Sequence, residues 1–197
     1  MRFGERARHY RSGALIQRDV ALWCAQWLDA DCSALTALEL GAGVGALTEI
    51  LAKKSFAKLV ASDLSPAMIE EGRQATPGVE WRQIDAWAPL SGRYDRLYAC
   101  SLLQWAREPW RVLENWRDCL NPGGRVLAAL FVEGSLREFN DASREFSPVE
   151  LRSTAEWLSH FRAAGFRILR HEELRCVQEH ASAVAALRTL HDIGAVT

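Results

Sequence analysis

The chain has 197 residues, 49% of them hydrophobic and 25% charged, which is the composition of a soluble globular domain with one core. Its net charge of −1 argues against general binding to nucleic acid or anionic membranes, and no apolar run approaches the roughly 20 residues of a membrane span. The five cysteines form no CxxC pair, so we expect neither a metal site nor a disulfide framework. The first ten residues lack a hydrophobic signal core, which favours a cytoplasmic protein.

The N-terminal quarter predicts helices, a strand and a glycine turn. Residues 3–29 read as one or two helices, because apolar residues recur there at helical spacing. The apolar run 34–40 predicts a first strand, and residues 46–54 predict the helix after it. Between them lies a turn with three glycines within five residues, where backbone can approach a ligand that any Cβ would block.

Strands and helices continue to alternate down the chain. Ser65 and Pro66 predict a helix start, and capping boxes are predicted at 147–150 and 153–156. The sequence Asn-Pro-Gly-Gly at 121–124 predicts the end of a helix. Further strands are predicted at 58–62, 79–84, 94–100, 125–132 and 166–177, and further helices at 110–120, 135–142, from 153 to Gly165, and at 181–190.

This alternation predicts an α/β fold with a mostly parallel central sheet covered by helices on both faces. In such sheets ligands bind beyond the carboxyl ends of the strands. The predicted site is therefore lined by Gly41–Gly45, Asp63, Asp85 and the segment 101–105.

The glycine turn leaves the bound nucleotide open between NAD and S-adenosylmethionine. The pattern Gly41-x-Gly43-x-x-Ala46 matches a weak dinucleotide fingerprint, and a P-loop is excluded because no GxxxxGK[ST] is present. Glu39, just before the turn, suits an amino acid ammonium better than a pyrophosphate. Asp63 can accept hydrogen bonds from ribose hydroxyls in either ligand. Asp85 can accept one from an adenine amine, while the backbone of Ala86 or Trp87 meets the ring.

These residues resemble the class I S-adenosylmethionine-dependent methyltransferases, which have a Rossmann-like fold. The matching segments, in order, are LELGAGVG at 38–45, DLSPAM at 63–68, IDA at 84–86, LNPGG at 120–124 and AGF at 164–166. A narrower resemblance is to the malonyl-acyl-carrier-protein O-methyltransferases of biotin synthesis, which methylate the free carboxyl of a malonyl thioester. It rests on Phe3-Gly4, Ala7, Tyr10 and Gln17-Arg18, on SLLQW at 101–105, on VEGSLREF at 132–139, and on residues 187–195.

The resemblance implies site residues as well as a fold. It implies a single domain with a helical lid over 1–33 and a Rossmann-like core over 34–197. The implied product of the cofactor is S-adenosylhomocysteine. No indispensable catalytic acid or base is implied, because a carboxylate is already deprotonated at neutral pH. The implied cofactor residues are Tyr10, Gln17, Glu39, Gly41, Ala42, Gly43, Gly45, Asp63, Leu64, Met68, Asp85, Ala86 and Ser101. The implied substrate residues are Tyr10, Gln104, Trp105 and Arg144, with Arg137 an equal candidate to pair the malonyl carboxylate.

The implied partner is an acidic acyl carrier protein, which five arginines could steer: Arg2, Arg6, Arg8, Arg11 and Arg18. The chain ends before the last antiparallel strand of that family, so we expect that the sheet lacks this strand or that another chain or a rearranged segment supplies it. Two alternatives stay open: a methyltransferase for another small carboxylic acid or small molecule, and a non-catalytic cofactor-binding subunit of a partner.

Overall fold

The computed structural model describes residues 15–135, 137, 151–182 and 184–186. Helices and strands alternate along this part of the chain, as the hydrophobic pattern predicts. The helices are α1 (Leu15–Ala25), α2 (Thr48–Leu51), α3 (Pro66–Ala75), α4 (Pro109–Asp118) and α5 (Thr154–Ala163), with a 3₁₀ turn at Leu103–Trp105. The strands are β1 (Thr36–Leu40), β2 (Lys58–Asp63), β3 (Glu80–Gln83), β4 (Tyr94–Cys100) and β5 (Leu120–Ala129).

The five strands form one parallel sheet in the order β3-β2-β1-β4-β5. The chain winds outward from the central β1 in both directions, so the order reverses beside β1. In the register, Leu40 lies opposite Ser62 of β2 and Ala99 of β4. The carboxyl ends of these three strands therefore meet at one place, and this confirms the predicted α/β fold.

Alternate side chains of each strand enter two separate cores, as a pleated strand with both faces covered requires. On one face Leu38 and Leu97 pack in a core with Trp116 of α4 and Trp157 of α5. On the other face Ala37 and Tyr98 pack in a core that includes residues of α1 and the segment leading into α2. Glu39 belongs to this second face, because it lies two residues beyond Ala37.

Two predicted helix starts are confirmed. The Ser65 hydroxyl accepts a hydrogen bond from the Met68 N–H at 3.4 Å, and Pro66 occupies the first turn of α3. At α5, the Ser153 hydroxyl accepts from the Glu156 N–H while the Glu156 carboxylate accepts from the Ser153 N–H, which completes a capping box.

Three predicted elements differ from the structure. The helix predicted at 46–54 is only Thr48–Leu51, because the turn of the glycine segment continues through Leu47. Strand β5 begins at Leu120 rather than Arg125: Tyr94 pairs with Leu120 and Arg96 with Arg125, so residues 121–124 bulge from the ladder. The strand predicted at 166–177 is wrong, since this segment joins no ladder and most of its side chains are exposed.

Several sequence predictions lie outside the described residues. They are the first helical residues 3–14, the helix at 135–142 beyond residue 137, the capping box at 147–150 and the end of the helix at 181–190. Within the described part of the chain, no helix is both long enough and apolar enough to cross a membrane.

Replacing Gly72 with alanine is expected to destabilise the fold by about 2 kcal/mol, since overpacking a core typically costs this much. Gly72 is buried in α3, where an added Cβ would lie 2.2 Å from the Trp81 ring. This clash outweighs the better helix propensity of alanine. Urea denaturation monitored by circular dichroism measures the change.

The matched control for this substitution is Gly78→Ala. A Cβ at exposed Gly78 meets nothing within 4 Å, so the same chemical change should alter the free energy of unfolding by no more than about 0.5 kcal/mol. Equal stability of the two variants would contradict the packing of α3 against Trp81.

Candidate functional site

The glycine turn begins directly after β1. Gly41 and Gly43 have φ angles of +64° and +57°, a backbone region that glycine enters without strain. The turn is held to the neighbouring strand, because the Ala42 N–H donates to the Ser62 carbonyl at 2.8 Å. A side chain at Gly41 would also meet Leu102, whose Cδ1 would lie 2.7 Å from the added Cβ. The glycines therefore place backbone atoms, rather than side chains, at the end of β1.

Asp63 fastens the end of β2 to this turn. One carboxylate oxygen accepts the Gly43 N–H at 2.9 Å, and the other accepts the Ser65 N–H at 2.9 Å. Burial raises the pKa of Asp63, while these backbone donors act in the opposite direction. The carboxylate is thus held in one orientation at the mouth of the turn.

Glu39 is a nearly fully buried carboxyl beneath the turn, with 1% of its surface exposed. Its Oε2 accepts a hydrogen bond from the Thr48 hydroxyl at 2.7 Å. Burial raises the pKa of Glu39 to about 7, and the nearby Asp63 charge raises it further, against the effect of the Thr48 bond. A cation placed beside Glu39 would therefore stabilise its ionised carboxylate.

A cavity of about 230 Å³ lies between the glycine turn, α1 and the end of β4. Its walls combine two glutamates and one arginine with the residues of the turn. The lining residues are Gln17, Arg18, Glu39, Gly41, Ala42, Gly43, Val44, Ala46, Leu47, Glu49, Cys100 and Ser101. Six residues predicted for the site are thus brought together here: Gln17, Glu39, Gly41, Ala42, Gly43 and Ser101.

The end of β4 carries the predicted acceptor segment. Ser101 has a φ of +57°, unusual for a residue with a side chain. The buried Gln104 holds this turn, since its Nε2 donates to the Ser101 carbonyl at 2.8 Å, and Gln104 is not among the lining residues of the cavity. Trp105 is half-buried on the same 3₁₀ turn.

Other predicted site residues lie away from the cavity walls. Gly45 faces Trp81 and Thr48, and Met68 is buried inside α3. Ala86 is buried, and its carbonyl accepts the Trp116 indole N–H. Asp85 and Leu64 are both exposed, and the Asp85 carboxylate accepts the Trp87 N–H. Tyr10 and Arg144 lie outside the described residues.

Three chemically important lining residues were not predicted as cavity residues: Arg18, Glu49 and Cys100. The position of Cys100 at the last residue of β4 was a usable signal, because carboxyl ends of strands gather at the site. No signal in the sequence distinguishes Glu49 from other helical glutamates, since its place depends on how α2 packs.

The donor set fits a ligand with a positive end better than a pyrophosphate. Glu39 and Glu49 line the cavity and Asp63 flanks it, and the helix after the turn has only four residues, so it offers little of the helix-terminus field that binds phosphate. The Gln17 Oε1 is buried without a hydrogen-bond partner, and an ammonium would satisfy it. Among the residues described, no group of three His, Cys, Asp or Glu is placed to hold a metal ion.

Known proteins are similar to this chain in sequence. Residues 38–126 match a methyltransferase domain family. The chain is 27% identical over 198 residues to a malonyl-acyl-carrier-protein O-methyltransferase of Herminiimonas arsenicoxydans, covering 98% of this chain and 75% of the relative. A trans-aconitate 2-methyltransferase of Azoarcus is 39% identical, but over 98 residues that cover 48% of this chain and 38% of the relative. The chain thus spans well under half the length of the second relative.

A solved structure supports the same fold. A Haloferax volcanii methyltransferase, determined in complex with a methyltransferase activator, superposes with a TM-score of 0.70 at 23% identity. The alignment covers 83% of this chain and 76% of that one. The sequence match and the fold are therefore similar to those of the class I S-adenosylmethionine-dependent methyltransferases.

Proposed function

We propose that the chain transfers a methyl group to the free carboxylate of a malonyl thioester carried by an acyl carrier protein. The observation that carries the proposal is the extent of the likeness. The match to a malonyl-acyl-carrier-protein methyltransferase runs through 98% of the chain, whereas the match to a trans-aconitate methyltransferase covers 48% of it. A likeness that is confined to about half of the chain is weaker support for a shared acceptor than one that runs through nearly all of it.

In this proposal the cavity holds the amino acid end of the methyl donor. Glu39 and the orphaned Gln17 Oε1 receive its ammonium group, because both line the cavity and both lack a cationic partner there. Asp63 receives the ribose hydroxyls beside Gly43. Asp85 and the backbone of Ala86 take the adenine, and Tyr10 with Gln17 closes the lid formed by residues 1–33.

When bound, the cofactor supplies a methyl group on a positively charged sulfur. The chain then has to orient an acceptor carboxylate and keep water away, since a carboxylate needs no general base at neutral pH. Opposite charges disappear as the methyl group moves, so a water-poor pocket favours the transition state.

The acceptor side is proposed at the 3₁₀ turn after β4. Gln104 positions the strained Ser101 backbone through its 2.8 Å hydrogen bond, and Trp105 faces the acyl group. Arg137 or Arg144 pairs the malonyl carboxylate. Arg18, exposed at the cavity, belongs to the basic N-terminal segment that would attract an acidic carrier protein.

A second candidate acceptor is a small free carboxylic acid of the trans-aconitate kind. The observation that favours it is the higher identity, 39%, over the shared half. Both candidates accept the methyl group on a carboxylate oxygen, so they differ in the carrier and not in the chemistry.

An acceptor assay separates the candidates. Methyl transfer from labelled S-adenosylmethionine to malonyl acyl carrier protein is expected to exceed transfer to free malonate, succinyl carrier protein or trans-aconitate by at least about 100-fold in kcat/KM. Preference for trans-aconitate would replace the carrier proposal with the second candidate. Cofactor binding without transfer to any acceptor would instead support a non-catalytic subunit.

A further inference from the structure

The cavity has a single cationic side chain among its described lining residues. Arg18 lies on α1, directly after Gln17, and both residues line the cavity. Arg18 is an exposed residue, and it forms no ion pair with a carboxylate in the part of the chain that the structure describes. An arginine in this state can bind an anionic group that enters the cavity.

The other described polar groups of the wall are poorly suited to an anion. The carboxyl groups of Glu39 and Glu49 line the cavity and repel an anion when they are ionised. The backbone N–H groups of Ala42 and Gly43 already donate to acceptors on β2. Arg18 is therefore the described lining residue that can best receive a negative charge.

We propose that Arg18 binds the carboxylate at the amino acid end of the methyl donor and makes the cavity selective for a ligand that carries this carboxylate. The assignment rests on the cofactor site proposed above, in which Glu39 and Gln17 receive the ammonium group. An amino acid carries its ammonium and its carboxylate on the same carbon, so the residue that binds one lies beside the residues that bind the other. Arg18 meets this condition, because it follows Gln17 in the chain and lines the same cavity.

A guanidinium suits this role better than a lysine ammonium would. Its planar pair of N–H donors matches the two oxygens of a carboxylate, and such charge-assisted hydrogen bonds are stronger than neutral ones. Arg18 on α1 and Glu39 beneath the glycine turn then hold the two charges of the ligand from different elements of the fold. Binding of the ligand therefore also fastens α1 to the turn.

This role is distinct from the attraction of an acidic carrier protein to the basic N-terminal segment. Attraction of the carrier acts at long range, weakens as salt is added and requires the carrier. Recognition of the ligand carboxylate by Arg18 is measured in the absence of any carrier, so the two roles are tested separately.

Calorimetric titration of the full chain with two ligands tests the assignment. One is S-adenosylhomocysteine, and the other is its decarboxylated analogue, which has a hydrogen in place of the carboxylate and retains the ammonium and the adenosine. The wild type should bind S-adenosylhomocysteine at least about tenfold more tightly than the analogue. Arg18→Ala should bind the two ligands with affinities within about twofold of each other, and should bind the analogue as the wild type does. Arg18→Lys should keep part of the preference.

Arg111→Ala is the matched control. Arg111 is an exposed arginine of α4 that does not line the cavity, so this variant should keep the full preference for S-adenosylhomocysteine. Equal wild-type affinities for the two ligands, equal weakening of both in Arg18→Ala, or an undiminished preference in Arg18→Ala would each overturn the assignment. If the wild type bound neither ligand, the proposed cofactor site itself would be wrong, and the role of Arg18 with it.

Discussion

The Asp63→Asn variant is expected to bind S-adenosylhomocysteine at least about 100-fold more weakly than the wild type, because hydrogen bonds to a charged group contribute about 1.5–3 kcal/mol each. Both carboxylate oxygens of Asp63 accept backbone N–H groups, from Gly43 and from Ser65. Asparagine has one acceptor oxygen, so it must turn its NH₂ toward one of these donors. The variant therefore loses an acceptor oxygen for the ribose hydroxyls and weakens the hydrogen bonds that hold the glycine turn. Isothermal titration calorimetry measures the affinity.

Asp31→Asn is the matched control for this change. The Asp31 carboxylate also accepts a backbone N–H, from Ser33 at 2.9 Å, but it is exposed and lies outside the cavity. This variant should bind the ligand like the wild type. If Asp63→Asn also bound normally while remaining folded, Asp63 would not contact the ligand.

The second large effect is a pH dependence that Glu39 imposes on both stability and binding. The folded protein keeps the Glu39 proton up to about pH 7, whereas the unfolded chain loses it near 4.5. The contribution of this group to stability is therefore complete below pH 4.5 and is lost as the pH rises to about 7. The shift corresponds to about 3 kcal/mol. Glu39→Gln should lack this decline and be more stable than the wild type at pH 8, since its amide oxygen can still accept the Thr48 hydroxyl.

Binding of a cationic ligand should follow the opposite trend. An ammonium beside Glu39 favours the ionised carboxylate, so affinity for S-adenosylhomocysteine is expected to rise with pH up to about 7 and then level off. In Glu39→Gln the affinity should be about tenfold or more weaker at pH 8, with a flat profile between pH 6 and 8. Calorimetric titrations at several pH values measure this.

Glu80→Gln provides the control for the pH profiles. Glu80 is an exposed residue whose pKa is lowered by its Arg82 and Lys58 partners, so it does not titrate between pH 5 and 8. The variant should keep the wild-type pH dependence of binding. A flat wild-type profile would show that no cation contacts Glu39.

Local patterns predicted the sheet well and the segment after α5 poorly. The apolar run at 94–100 needed no distant information, and β4 has those same bounds. Residues 166–177 carry a similar mixture of apolar and charged side chains, yet strand formation also requires a partner edge, and a ladder is a non-local contact. Arg170 instead packs over the Trp27 ring at 4.5 Å. A local sequence pattern does not reveal that a side chain such as Arg170 packs against a distant residue.

Site residues at the ends of strands could be predicted from the sequence. Residues whose position depends on how the helices pack could not. Glu39 and the glycine turn follow from their place at the end of β1. Met68 is buried because of the face of α3 on which it lies, and Cys24 is buried because α1 packs on the sheet. These orientations arise only when the elements pack together.

The most direct test of the account is calorimetric titration of the purified chain with S-adenosylhomocysteine and, separately, with NADH. The account predicts saturable binding of one adenosyl ligand per chain, with displaced protons below pH 7 as Glu39 ionises, and no heat from NADH. Binding of NADH together with no response to S-adenosylhomocysteine would contradict the assignment of the cavity.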